Sequence, residues 1–306
     1  VSPPRLVVLA GPTASGKSAL ALALAERLGG EIVSADSQQV YQGFDIGTAK
    51  PSSEELARVP HHLVSIIDGR ERRMDAARYA ALADVAISAI CARGKVPIVV
   101  GGTGLYLRTL LHGVVPGPGR DDLFRARLAA RVAEGGWEAA HQELARVDPT
   151  SAARLSVNDH VRLERALEIH HLTGQPASAL RAAHAFAADR YAFLGFTLCP
   201  PREALFDRID RRTRSMFDAG LLEETAALVE AGYDDAPPMA SIGYAQARAV
   251  LAGAFTREAA IADAAQATRK YAKRQLTWFK KERGLRALPR WELEALVGEA
   301  VAFWAG

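Results

Sequence analysis

Cysteine is nearly absent: Cys91 and Cys199 are the only two in 306 residues, far apart and outside any C-x-x-C spacing. That argues against a disulfide framework and a thiolate zinc site, and it suits a reducing cytoplasm. Long apolar runs are absent as well. No stretch approaches the ~20 residues needed to cross a bilayer, so no membrane partner is expected. The opening Val-Ser-Pro-Pro-Arg carries no apolar core or cleavage site of a secretion signal, and a cytoplasmic location is the expectation. Neither sign of charge is in large excess. The formal net charge of +3 permits a polyanionic partner without demanding one. There is no internal repeat and no low-complexity tract. A hydrophobic content of 49% over this length is enough to bury a sizeable core in one large domain or two smaller ones.

What is present begins with Gly11, Pro12, Thr13, Ala14, Ser15, Gly16, Lys17 and Ser18, a complete G-x-x-x-x-G-K-[ST] phosphate loop. It follows the apolar run Leu6–Ala10 and precedes an alanine-rich amphipathic stretch, so the spacing predicts strand, glycine loop, helix. Glycine lets the backbone fold around an anion, and the helix N-terminus adds partial positive charge. Lys17 supplies a mobile cation, and Ser18 offers a hydroxyl to a phosphate-bound Mg²⁺, the one metal expected.

Two further strand-like runs, Glu31–Ala35 and Val96–Val100, alternate with helical stretches over Lys17–Leu28 and Ala76–Arg93. This predicts an α/β fold with a parallel sheet flanked by helices. Gly113–Gly119 holds two prolines and three glycines and marks a boundary. From Arg120 to about Arg181 every periodic segment is helical, with stops at Gly135-Gly136, Asp148-Pro149 and Gly174-Gln175-Pro176. Residues 114–189 are therefore expected to be an all-helical insertion into a core made of 1–113 and 190–306. Tyr191–Leu198 is strand-like and should rejoin the sheet, and Arg286–Trp291 is a candidate last strand.

Three more constellations carry chemistry. Asp36-Ser37-Gln38-Gln39 follows the second strand, where ligands lie in open α/β sheets. A carboxylate there can bind a metal, cap a turn or take a proton, and Ser37, Gln38 and Gln39 can read polar edges. Gly101-Gly102-Thr103-Gly104 follows the third strand and should bring Thr103 to the same mouth, unless it is only a tight turn. An acid that phosphate-loop NTPases place at a strand end to hold Mg²⁺ is missing there. The loop is thus better suited to holding a diphosphate leaving group than to cleaving a γ-phosphate. Finally, residues 269–286 contain eight Lys or Arg against one acid, Glu282. Arg269, Lys273 and Lys280 share a helical face, Arg274 lies beside them, and Tyr271, Trp278 and Phe279 interleave. Read alone this is a solvated basic face over an aromatic stripe; beside a phosphate site it becomes a candidate nucleic-acid surface. The adjacent pairs His61-His62 and His170-His171 lack the i, i+4 spacing of a helical metal site.

Taken in order, 11–18, Asp-Ser-Gln-Gln-Val-Tyr (36–41), Asp-Ile-Gly-Thr-Ala-Lys-Pro (45–51), Gly-Gly-Thr-Gly-Leu-Tyr (101–106), 158–168, Ser-Ile-Gly-Tyr (241–244) and Ala-Lys-Arg-Gln-Leu-Thr-Trp-Phe (272–279) resemble the tRNA dimethylallyltransferases, or tRNA isopentenyltransferases, of bacterial type. The resemblance implies a phosphate-loop NTPase-like core. It also implies transfer of a five-carbon prenyl group from dimethylallyl diphosphate to N6 of adenosine 37 in tRNAs reading codons that begin with U. By motif it makes Asp36 the general base, Thr103 a ligand of the diphosphate and bridging oxygen, and Arg212 the arginine that neutralises the leaving group. It places tRNA contacts at Asp36–Gln39, Arg125, His160, Val161, Arg162, Leu163 and Glu164, at Ser241, Ile242, Gly243 and Tyr244, and on the basic helix. The anticodon stem-loop would be the partner of a monomer with no obligate protein partner. Other readings are a small-molecule kinase, a nucleic-acid-binding protein that uses the phosphate loop only as an anchor, and a prenyltransferase of free adenine nucleotides.

Overall fold

A computed structural model describes residues 3–71, 74–114, 117–184 and 188–305. The chain divides into two compact units, residues 1–111 with 190–306, and residues 112–189.

The larger unit starts with β1 (Arg5–Ala10), α1 (Lys17–Leu28), β2 (Glu31–Ser34), α2 (Ser53–Arg58) and β3 (His61–His62). It continues with α3 (Ala76–Ala92), β4 (Pro97–Gly101) and α4 (Gly104–His112). Leu6 to Ala10 are fully buried, which is why β1 reads as an unbroken apolar run rather than an alternation. Even positions of the strand (Leu6, Val8, Ala10) join Val33, Val99 and Ile87 of α3 in one core. Odd positions (Val7, Leu9) join Ile98, Phe196 and Leu24 of α1 in another on the opposite face.

The smaller unit consists of α5 (Asp122–Val147), α6 (Pro149–Ala152), α7 (His160–Thr173) and α8 (Ala177–His184). Gly136, at φ 74°, is non-helical and divides α5 into two helices across a kink, where the stop at Gly135-Gly136 is expected. Leu128, Leu144, Leu163 and Leu167 form its core. Burial by itself would raise the Asp148 carboxyl, but hydrogen bonds from the hydroxyls and N–H groups of Ser151 and Ser178 prevail and hold it at about 2.

The chain then returns through β5 (Ala192–Leu198), α9 (Arg202–Asp218), α10 (Leu221–Glu230) and a 3₁₀ turn (Pro237–Ala240). It ends with α11 (Tyr244–Leu251), α12 (Arg257–Phe279), β6 (Leu285–Leu288) and α13 (Leu293–Ala305). The sheet has the order β3-β2-β4-β1-β5-β6, and every pairing is parallel, with Leu9 opposite both Val100 and Phe196. The mixed α/β architecture expected from the sequence is thus present. The two-residue edge strand β3 is an addition to that expectation, because an adjacent histidine pair carries no strand periodicity. Among the described residues no helix is long and apolar enough to cross a membrane.

Candidate active site

The strand order puts β1 at the centre, so the loops after β1, β2 and β4 open at one edge, where open α/β sheets hold ligands. A cavity of about 830 Å³ lies there. Its walls include Thr13, Lys17 and Ser18 of the phosphate loop, Asp36 to Gln39, Arg212, and Tyr271 and Arg274 of α12.

The phosphate loop turns into α1 through Gly16, whose φ of 92° is the left-handed region that an L side chain resists. Ala14 is held in that region too, at φ 60°. Lys17 folds back so that its Nζ donates to the Pro12 carbonyl at 3.2 Å. It keeps some exposed surface, yet protein packs closely around the ammonium. Burial lowers it to about 8, with Asp36 pulling it upward and Arg212 pushing it further down. Arg212 is also lowered by burial, opposed by the Asp36 charge. Two half-buried cations and one carboxylate thus face a common space, an arrangement that an incoming polyanion stabilises. The hydroxyl of Ser15 is buried with no hydrogen-bond partner.

Diphosphate affinity is therefore expected to depend on pH with a definite sign. Burial holds Lys17 down to about 8, and an anion beside it raises that value. Binding is fully favoured below about pH 8 and weakens as pH rises further, by up to about tenfold per pH unit, because Lys17 must regain a proton. Calorimetry of inorganic pyrophosphate between about pH 7 and 9.5, in buffers of different ionisation enthalpy, should show proton uptake on the alkaline side. Lys17→Met should abolish that uptake.

Asp36 is fixed by its own turn. Its Oδ1 accepts from the N–H of Gln38 at 2.8 Å and of Gln39 at 3.4 Å, which leaves Oδ2 for the cavity. The chain after β4 lies hard against this turn: a Cβ on Gly101 would sit 2.1 Å from the Ala35 carbonyl oxygen, so only glycine permits the approach. As a result the Thr103 hydroxyl accepts from the Ser37 N–H at 3.1 Å. Thr103 braces the Asp36 turn and keeps its own O–H proton to donate. Gln39 is committed internally, its amide donating to the Ala49 carbonyl at 2.9 Å and accepting from Ser34 at 3.1 Å. Gln38 lines the cavity, and its Oε1 is buried with no hydrogen-bond partner.

The remaining expected contacts separate into two groups. Ser241, Ile242 and Gly243 line the cavity. Tyr244 does not offer its ring, which is fully buried; its hydroxyl donates to Glu224 and accepts from the Gly47 N–H at 3.2 Å. On α12, Arg274 sits over the Tyr271 ring in the cavity wall, and burial together with the Asp36 charge pushes Tyr271 up to about 12. Lys273 lies over Phe206 with its ammonium exposed, and Lys280 is exposed. Arg269, expected on the same phosphate-binding face, is instead ion-paired with Asp210. In the helical unit the fork of Arg125 grips Glu168 through two bonds of 2.8 Å and also pairs with Glu164. A phosphate would have to displace those carboxylates. His160 stacks on Trp137 at 4.2 Å, Val161 is exposed, and Arg162 pairs with Asp159 at 3.0 Å. Leu163 is fully buried in the core, so its side chain has no surface to offer RNA, and that expectation gives way.

Three residues that sequence reasoning did not single out matter to the geometry. Glu224 accepts from the N–H groups of Asp45, Ile46 and Gly47 at 3.1, 2.8 and 3.3 Å, clamping the loop whose residues 47–51 line the cavity. Arg208 donates to the Ser15 carbonyl at 3.1 Å, and Gln275 receives the Thr13 N–H at 2.9 Å. Gln275 falls inside the 272–279 motif, which gave the only available signal; Glu224 and Arg208 sit on helices whose patterns are ordinary.

The family model described as IPP transferase matches residues 39–282. The chain belongs to the IPP transferase family. It is similar to the tRNA dimethylallyltransferase of Myxococcus xanthus, 62% identical over 281 residues that cover 92% of this chain and 91% of that one. Among solved structures, the tRNA delta(2)-isopentenylpyrophosphate transferase of Staphylococcus epidermidis superposes with a TM-score of 0.71 at 36% identity over 99% of both chains. Crystallographic snapshots of a eukaryotic dimethylallyltransferase acting on tRNA give a TM-score of 0.79 at 30% identity, covering 93% of this chain and 74% of the other. Its place in the IPP transferase family makes this chain a transferase, a tRNA-modifying prenyltransferase by its relatives.

Proposed function

We propose that this chain moves a dimethylallyl group from dimethylallyl diphosphate to N6 of adenosine 37 in tRNAs that read codons beginning with U. The observation that carries the reading is the cavity in which a carboxylate, Asp36, faces two half-buried cations, Lys17 and Arg212, at the phosphate loop. In the reaction the N6–C1 bond forms as the allylic C1–O bond breaks, the bonding pair leaves on the diphosphate, and the N6 proton passes to a base. The loop N–H groups, Lys17 and Arg212 bind the diphosphate and stabilise the charge that grows on it. Asp36 takes the proton, and the Thr103 hydroxyl is available to donate to the bridging oxygen. A stacked base cannot enter such a site, so the adenosine must flip out of the anticodon loop, at a cost of a few kcal/mol.

Among the described residues no group of three His, Cys, Asp or Glu gathers to cage a metal. Mg²⁺ does not need one, since it takes substrate phosphate oxygens and keeps several waters. The exposed Ser18 hydroxyl at the cavity wall fits that sparse donor set. When bound there, Mg²⁺ would add positive charge to the leaving diphosphate.

The test is to incubate the protein with labelled dimethylallyl diphosphate and either bulk tRNA or AMP. Label in tRNA supports the reading. Label in AMP alone would move it to a nucleotide prenyltransferase, and ATP turnover would point to a kinase.

For the helix α12 the expected signature is salt dependence. Changing Lys273 and Lys280 to Ala should lower the slope of log K against log salt by ~0.7–0.9 for each phosphate that is no longer neutralised. The penalty should be alike for tRNAs with and without the target adenosine, because phosphate contacts position without specifying. An unchanged slope would make this surface an ordinary solvated basic face. The protein is proposed to work as a cytoplasmic monomer with the anticodon stem-loop as its RNA partner.

A further inference from the structure

Gln275 is almost fully buried, at 6% exposure, and lies on the same helix as the basic surface. Its side chain makes two bonds to different loops. Oε1 accepts the Thr13 N–H at 2.9 Å, and Nε2 donates to the Gly102 carbonyl at 2.8 Å. These bonds tie the phosphate loop to the segment that carries Thr103. The Thr13 hydroxyl in turn accepts from Arg212 Nη1 at 3.1 Å.

The contact falls where the loop is strained. Ala14 is not glycine, yet it is held at φ 60°, a left-handed conformation that an L-residue resists. Such a residue stays there only when its neighbours over-determine it. Gln275 holds the N–H of the residue before Ala14, and Arg208 holds the carbonyl of the residue after it, at 3.1 Å. The loop is thus pinned on both sides of its strained residue by side chains from α12 and α9.

We propose that Gln275 is a positioning residue for the diphosphate: through Thr13 it fixes the anion-binding form of the phosphate loop and the aim of Arg212. It reaches no reacting atom in this role. The inference rests on the prenyl-transfer reading for its kinetic consequence but not for its effect on anion binding.

Gln275→Met, similar in length and without either hydrogen bond, tests it. Inorganic pyrophosphate binding, measured by calorimetry without tRNA, should weaken about tenfold, the scale of removing one hydrogen bond to a critical group. Donor kcat/KM should fall by about ten- to a hundredfold, while tRNA affinity and its salt slope stay within about twofold. Gln275→Glu keeps an acceptor for the Thr13 N–H, but it sets a buried carboxylate against the Gly102 carbonyl and close to the anion site. Its pyrophosphate affinity should therefore fall at least as far as that of the Met variant, while tRNA affinity stays within about twofold. Pyrophosphate affinity and donor kinetics that stay within about twofold in the Met variant overturn the proposal. So does a parallel loss of tRNA and pyrophosphate binding in both variants, which would make Gln275 a general brace. If the unchanged protein labels no tRNA but its pyrophosphate affinity still depends on Gln275, the prenyl-transfer reading fails and the positioning role stands.

Discussion

Asp36→Asn is expected to cut single-turnover prenyl transfer by ~10² or more, the usual scale for a lost general base. The substitution is close to isosteric, and the geometry explains why it should be clean. The carboxylate Oδ1 already accepts from the N–H groups of Gln38 and Gln39. An asparagine carbonyl can keep both bonds, so the turn and the Ser37–Thr103 contact are preserved. What changes is the other oxygen, which becomes an amide that cannot take the N6 proton. Binding of tRNA should stay within a few-fold, since no phosphate contact is removed. The measurement is a single-turnover time course with labelled dimethylallyl diphosphate and excess enzyme. A variant that retains most of the rate would remove Asp36 from the proton transfer.

The phosphate loop is legible in the sequence because its constraints are local. Glycine at 11 and 16, Lys17 and Ser18 are required within eight residues, and the flanking strand and helix each carry their own periodicity. The same holds for the strand-end position of Asp36. Less legible are contacts made by residues distant in the chain. A motif is enough to place Arg212, but the depression of Lys17 by burial and by Arg212 needs α9 folded against the loop. Glu224, Arg208 and Gln275 act through backbone groups of segments far from them in sequence, and no spacing rule encodes that. The basic helix shows the opposite failure. Helical periodicity groups Arg269 with Lys273 and Lys280, yet Asp210 on a neighbouring helix neutralises Arg269. In the helical unit, residues 120–165 hold eight Arg and eight Asp or Glu, the balance of a solvated surface; most of these side chains are exposed, but Arg125 and Arg165 converge on the buried Glu168. Hydrogen bonds from both arginines and from the Asp121 N–H outweigh the effect of burial and hold that carboxyl at about 2.

Arg212→Ala should reduce kcat by ~10²–10³, the range seen when one group aimed at developing charge is removed. The donor KM should rise by much less. The arginine gains most as charge moves onto the leaving diphosphate, so its loss is felt in the transition state more than in the bound ground state. Arg212→Lys should recover only part of the rate, because an ammonium cannot both donate to the Thr13 hydroxyl and present a flat fork to phosphate. A second consequence separates an electrostatic role from a packing role. Arg212 pushes Lys17 down, so removing it lets the Lys17 ammonium titrate at higher pH. The alkaline fall in pyrophosphate affinity should therefore move upward in Arg212→Ala even as affinity below about pH 8 drops. Arg212→Lys, which keeps the charge, should leave the fall where it is. If Arg212→Ala weakens only tRNA binding and leaves both kcat and the pyrophosphate pH profile unchanged, the leaving-group assignment at 212 is wrong, and the second cation of the cavity serves the RNA.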